Sequence, residues 1–157
     1  MRTCYVLSFS ILALDSPKLI SAGPSQERLT VAQFAVQGVL TSIQVYADFC
    51  TAEVPSLAPE FKELMRILEV RVHKIAAPLL GAYTTDSTLQ RPVPKELVAA
   101  YDDWIRDRRQ ELAAVDAKKQ CPTYLVNYRN TSDEFFRAGL EHTLAALSHD
   151  LAKAPSK

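Results

Sequence analysis

The sequence predicts an all-α protein built as a four-helix up-down bundle. Four long segments carry apolar residues at helical spacing, and the chain has no segments of the alternating apolar and polar residues that a β-sandwich or barrel needs. Only four glycines are present, and two cysteines fall at the ends of predicted helices that are neighbours in such a bundle. With 157 residues, 48% of them apolar, the chain is long enough for one domain with a hydrophobic core.

Residues 1–22 are predicted to be a cleaved export signal. Arg2 supplies a positive charge, and residues 3–14 form an uncharged apolar run that is too short for the roughly 20 residues of a membrane span. Cleavage after Ala22 leaves residues 23–157 as a single helical domain with a frayed C-terminal tail, located in the periplasm or secreted. The alternative is that the apolar run is a buried first element of the mature domain. No other stretch is apolar enough to cross a membrane.

The charge balance gives no basis for nucleic-acid binding. The chain has 18 basic and 18 acidic residues, and removal of the predicted signal, which contains Arg2, Asp15 and Lys18, leaves 16 basic and 17 acidic ones. A protein that binds a polyanion through its phosphates needs a basic surface, which this composition does not provide.

Helix one is predicted to begin at Thr30 and to run to Cys50. Thr30 and Gln33 have the spacing of a capping box, and Leu29 and Phe34 occupy the two positions of a hydrophobic staple. Its apolar stripe consists of Ala35, Val39, Ile43, Tyr46 and Cys50, widened by Val36 and Leu40.

Helix two is predicted to begin around Pro59, because proline is tolerated in the first turn of a helix. Pro78 and Gly81 are expected to end it, and residues 84–93 to form the longest irregular stretch. The apolar residues of helix two repeat every three or four positions: Phe61, Leu64, Leu68, Val72, Ile75 and Leu79.

Helix three is predicted to begin at Pro94, and a link at residues 118–120 separates it from helix four. Helix four is expected to open at Cys121 and to restart at Thr131, which forms a second capping box with Glu134. The apolar face of helix three comprises Leu97, Tyr101, Trp104, Ile105, Leu112 and Val115. That of helix four comprises Phe136, Leu140, Leu144, Leu147 and Leu151.

Cys50 and Cys121 are predicted to form a disulfide between helix one and helix four. In an up-down bundle these helices are antiparallel neighbours, so both cysteines lie at the same end, and Cys4 leaves with the signal. The alternative is two free buried thiols in a cytosolic protein. The layout of an exported bundle with one such bridge resembles, in architecture alone, small bacterial envelope proteins such as secretion-system pilotins and immunity proteins.

The sequence contains no recognisable set of catalytic or metal-binding residues, and it predicts no cofactor. Its three histidines do not form the Glu-x-x-His pairs of a di-iron bundle, and there is no Cys-x-x-Cys motif, phosphate loop or nucleophile elbow. Glu69 and His73, four residues apart, are the one pair from which a hydrolase site is conceivable.

Helix three carries a charged segment, residues 102–111, as a candidate partner-binding face. Trp104, Arg106 and Arg109 are the residues assigned to this face, because tryptophan and arginine are common anchors of protein interfaces. Arg108 falls within the apolar stripe and is a weaker candidate. The alternative is an ordinary solvated helix face supported by charge pairs at i, i+4.

A second candidate face lies near the predicted disulfide. Tyr124, Tyr128 and Arg129 are assigned to it, because aromatic residues beside a cross-linked turn make a plausible contact surface. Alternatively, the two tyrosines fill the end of the core.

The leading functional hypothesis is an exported, non-enzymatic protein-binding module, of the inhibitor, immunity or assembly-factor type. A small-molecule carrier with a pocket near Tyr46, Tyr101 and Trp104 is the first alternative, and a hydrolase using Glu69 and His73 is the second. The expected partner is another protein, and a homodimer is also open.

Overall fold

The computed structural model describes residues 29–153, and this part of the chain is all-helical, as predicted. Its helices are α1 (Val31–Glu53), α2 (Ala58–Ala82), α3 (Ser87–Gln90), α4 (Lys95–Ala113), α5 (Ala117–Asn130) and α6 (Asp133–Lys153), with a 3-10 turn at Pro55–Leu57 between α1 and α2. The predicted export signal at residues 1–22 and the last residues of the predicted tail lie outside the described residues.

The N-terminus of α1 forms the structure that the sequence predicts. The Thr30 N–H donates to Gln33 Oε1 at 3.0 Å, and the Gln33 N–H donates to Thr30 Oγ1 at 3.2 Å, so both halves of the capping box are present. Leu29 packs against the small cluster that contains Phe34, as a hydrophobic staple requires.

Helix α1 is the centre of the fold, because it packs against each of the other helices. The predicted stripe of Val36, Ile43 and Cys50 faces the main core. However, α1 also buries a second face, which the sequence analysis did not predict: Phe34, Gly38 and Val45 are buried as well. The only side of α1 that stays open is polar and carries Gln33, Gln37, Gln44 and Asp48.

Helix α2 continues through Pro78, so the prediction that Pro78 ends it is wrong. Pro78 is exposed, and the carbonyl oxygen that it leaves without a donor, four residues earlier, can bond to water. The next two residues, Leu79 and Leu80, pack against the core and hold the last turn in place. Burial of these side chains therefore outweighs the loss of one helical hydrogen bond.

The stretch predicted to be irregular, residues 84–93, contains the short helix α3. Asp86 caps it: Asp86 Oδ1 accepts from the N–H of Thr88 at 2.9 Å and from the N–H of Leu89 at 3.3 Å. The other carboxylate oxygen accepts from Ser148 Oγ at 2.6 Å, which ties α3 to α6. The hydrogen bond from Ser148 is the main reason that the pKa of Asp86 is lowered.

Replacing Asp86 with alanine is expected to lower the free energy of unfolding by about 1–2 kcal/mol at neutral pH, the usual cost of losing a helix cap. A carboxylate with a lowered pKa in the folded state stabilises the fold above its unfolded pKa of about 3.9, and this contribution is lost as the pH falls through the folded value. Urea unfolding of the wild type and of the Asp86→Ala variant at pH 7 and pH 3 tests this pH dependence, with Ser148→Ala as a control that keeps the cap. An equal loss at both pH values would contradict it.

The last segment differs from its prediction in two details. Helix α5 begins at Ala117 instead of Cys121, because Asp116 accepts a hydrogen bond from the Lys119 N–H at 3.4 Å and caps the helix earlier. The break before α6 lies where the sequence predicts it, but Ser132 is the residue that caps α6, accepting from the Phe135 N–H at 3.2 Å. Thr131, predicted to be the cap, donates instead to the Asn127 carbonyl at 2.8 Å.

Two contacts hold α5 and α6 in place, one from α2 and one from α1. Arg71 Nη2 lies 2.6 Å from Asp133 Oδ1 and donates to the Thr131 carbonyl at 2.8 Å, while its guanidinium carbon is 5.6 Å from the centre of the Phe136 ring. At the other end, the Sγ atoms of Cys50 and Cys121 are 2.05 Å apart, at disulfide-bonding distance, and both residues are fully buried. The bridge ties the end of α1 to α5.

Candidate functional site

The two tyrosines predicted near the disulfide pack around Tyr46 of α1. The ring centres of Tyr124 and Tyr128 lie 5.1 and 5.8 Å from that of Tyr46, in edge-to-face contact. Burial, with the nearby Tyr46 as a lesser cause, raises the pKa of Tyr128. Tyr124 and Tyr128 both pack against the main core, so they help to fill its end.

A second aromatic group joins α4 to α1. The ring of Tyr101 lies 5.3 Å from that of Phe34 and stacks on that of Trp104 at 5.8 Å. Its hydroxyl donates to the carbonyl oxygen of Gly38 at 2.7 Å. Burial raises the pKa of Tyr101 to about 12. These contacts show that Tyr101 holds α4 on α1, while Trp104 stacks on Tyr101 within α4.

Arg108 lies between the two aromatic groups. Its guanidinium carbon is 5.7 Å from the centre of the Trp104 ring, and its Nη1 is 2.6 Å from Glu111 Oε2. Its positive charge also acts on Tyr128, where it partly offsets the effect of burial on the pKa. The buried Nε of Arg108 has no hydrogen-bond partner among the described residues. Arg108 therefore pairs with an exposed carboxylate while its stem covers apolar surface.

Arg106 and Arg109 lie on another side of α4. At 100° per residue, they are rotated from Trp104 by about 160° and about 140°. Both are exposed, and Arg106 Nη2 lies 2.6 Å from Asp103 Oδ1. Arg109 makes no ion pair within residues 29–153. The structure therefore separates the two arginines from the aromatic residues with which the sequence analysis grouped them.

Arg129, the remaining predicted contact residue, is exposed at the end of α5. Its Nη2 lies 3.5 Å from Glu60 Oε2, so it links α5 to the start of α2 across the surface. Exposed pairs of this kind contribute about 0–1 kcal/mol to stability.

Two of the concavities on the described surface bear on function. The first, here called the polar groove, has a volume of about 330 Å³ and lies between α1 and α2; its lining residues are Gln37, Leu40, Thr41, Gln44, Met65, Arg66 and Glu69. The second, here called the apolar cleft, has a volume of about 100 Å³ and lies between α1, the end of α5, and α6. The aromatic residues predicted to surround a ligand, Tyr46, Tyr101 and Trp104, are in contact with other rings.

The histidines are on the surface. His73 Nδ1 is 2.8 Å from the backbone oxygen of Glu69, one turn earlier, and His149 Nδ1 is 3.0 Å from Asp150 Oδ1. Between residues 29 and 153, no three His, Cys, Asp or Glu side chains are grouped as a metal site would require. None of the helices over the same residues combines the length and hydropathy of a membrane span.

No similar protein is found. The chain matches no family model, and neither a curated protein nor a solved structure shows significant similarity to it. The function therefore has to be inferred from the geometry of the described residues.

The polar groove is not among the predictions from the sequence, although a signal for it is present. Gln33, Gln37 and Gln44 share one side of α1, at spacings of four and seven residues, in a helix whose other sides are mainly apolar. In the central helix of a bundle, such a polar stripe marks the side that no neighbouring helix covers. Gln44 Nε2 donates to Asp48 Oδ1 at 2.6 Å along this stripe.

Proposed function

We propose that this protein is an exported, non-enzymatic module that binds another protein, as an inhibitor, immunity or assembly factor, through the polar groove and the adjoining edge of α4. The observation that carries the proposal is the open polar side of the central helix. Arg109 of α4, which makes no ion pair in the described chain, is the cation that we propose lies beside it.

The helix register supports this surface. Tyr101 contacts α1 at Gly38, and the start of α4 packs near Phe34, so α1 and α4 run in the same direction. In that arrangement Arg106 and Arg109 lie on the same side of α1 as the polar stripe. The groove lies between α1 and α2, and we propose that the exposed edge of α4 adjoins it on the side of α1 away from α2.

The chemistry of this surface suits a polar protein partner. Glutamine amides both donate and accept hydrogen bonds, and charges of both signs stand at the edges: Arg66, 2.7 Å from Glu63, on α2, and Arg106 on α4. Mixed charges of this kind contribute more to the specificity of binding and to the rate of association than to the affinity.

The proposal includes export and the up-down arrangement of the helices. A buried Cys50–Cys121 bridge is typical of proteins that fold in an oxidising compartment, such as the periplasm or the exterior. The contacts of α1 with the end of α2, the start of α4 and the end of α6 fit helices that alternate in direction, with α5 and α6 as the divided fourth member.

Reversing the charges of Arg106 and Arg109 to glutamate is expected to weaken partner binding by about tenfold or more, because both cations border the groove. The protein is isolated with its partner from the envelope fraction of its host, and the affinity of the purified pair is measured. Arg137→Glu, on the exposed side of α6, is the control. The mass of the isolated chain should show a start at Gly23. Unchanged affinity in the double variant would exclude this face.

A further inference from the structure

One face of α6 is left uncovered by the other described helices. The members of this face follow each other at intervals of three or four residues and are all exposed: Phe135, Ala138, His142, Ala145, His149 and Ala152. Half of the Phe135 surface is accessible, so a neighbour on this face would remove apolar area from water.

The apolar cleft opens beside this face. Phe135, Gly139 and His142 of α6 line it together with Val39 and Ile43 of α1, and no Asp, Glu, Lys or Arg is among its lining residues. A helix laid along the α6 face would remove apolar surface of Phe135 from water, and the cleft beside it has no Asp, Glu, Lys or Arg in its lining that would have to be desolvated.

We infer that α6 is a self-association face, on which a second copy of this chain lays its own α6 in antiparallel orientation. In one register, each large side chain of the face meets a small one of the partner helix: Phe135 opposite Ala152, Ala138 opposite His149, and His142 opposite Ala145. The same register places Glu134, in the first turn, opposite Lys153, in the last turn.

Charge complementarity selects the antiparallel orientation. Two-fold symmetry makes every contact occur twice, so both ends of the helix pair gain an attraction between Glu134 and Lys153. A parallel pair would bring each of these charges close to its own copy. The net charge of the chain is zero, so no overall repulsion opposes the contact between copies.

Sedimentation equilibrium of the full, disulfide-bonded chain tests the inference. The wild type is expected to form dimers, and Ala145→Trp to raise the dimer dissociation constant by about tenfold or more, because the indole would collide with the partner helix. Ala77→Trp, the same change at an exposed position of α2, is expected to leave it unchanged. A wild type that stays monomeric at millimolar concentration, or equal effects of the two tryptophans, would overturn it.

A charge exchange tests the orientation. Glu134→Lys alone and Lys153→Glu alone are each expected to weaken the dimer, because each places like charges opposite one another. The double variant restores opposite charges at both ends and is expected to recover the wild-type dissociation constant. Failure of the double variant to recover would overturn the antiparallel register.

Discussion

Replacing Cys50 and Cys121 together with alanine is expected to lower the free energy of unfolding by about 4 kcal/mol. The bridged residues are 71 positions apart, and a cross-link that closes a loop of that length removes much of the conformational entropy of the unfolded chain. Alanine is the suitable replacement, because both sites are fully buried and apolar. The expected drop in melting temperature is roughly 10–20 °C.

The single variants make this test sharper. Cys50→Ala and Cys121→Ala each abolish the bridge, so each is expected to lose nearly as much as the double variant, and the three losses should not add. Urea unfolding measures all three. Additive losses, or none, would show that the bridge does not form in solution.

The buried position of the bridge also affects how fast a reductant can cleave it. Neither cysteine is accessible in the folded state, so a reductant reaches the sulfur atoms only when the structure opens. The reduction rate under native conditions should therefore follow the opening of the end of α1 and the start of α5. A protein exported in this form would keep its cross-link while folded, consistent with its proposed role outside the cytosol.

The positions of the helices could be predicted because their signals are local. Thr30 and Gln33 form the predicted capping box, and Phe61, Leu68 and Val72 of the predicted stripe are buried in α2. Cys50 and Cys121 could be paired because their positions follow from the ends of these helices. Each of these inferences needs only residues close in sequence, or one simple topology.

Contacts between distant residues could not be predicted. The second buried face of α1 depends on Tyr101 reaching Gly38, 63 residues away. The link between α3 and α6 depends likewise on Ser148, which lies 62 residues from Asp86. Periodicity shows that a helix has an apolar side, but it does not show which neighbours cover it or how much of the circumference they cover.

The same limit applies to the candidate site. Arg106 and Arg109 are exposed, as a solvated or binding face requires, whereas Tyr124 and Tyr128 pack against the core. In the sequence, an aromatic residue near a turn looks the same whether it binds a partner or fills the core. Only the position of Tyr46, on a different helix, decides between them.

The attachment of helix α4 to α1 depends largely on the side chain of Tyr101. Helix α4 packs mainly against α1, and its only buried residues are Val98 and Leu112. The ring of Tyr101 lies between these two positions, against Phe34, and bonds to the backbone of α1. Loss of this ring removes apolar contact area from an interface in which α4 buries few side chains.

Replacing Tyr101 with alanine is therefore expected to cost about 3 kcal/mol and to free α4 locally. Hydrogen exchange should show lost protection in α4 with α2 unchanged. Tyr101→Phe keeps the ring and loses only the hydrogen bond to Gly38, about 1 kcal/mol. Because the pKa of Tyr101 is raised to about 12, its contribution is complete below the unfolded pKa of about 10 and is lost as the pH rises toward 12. If α4 and α2 lost protection equally, α4 would not be a separate unit.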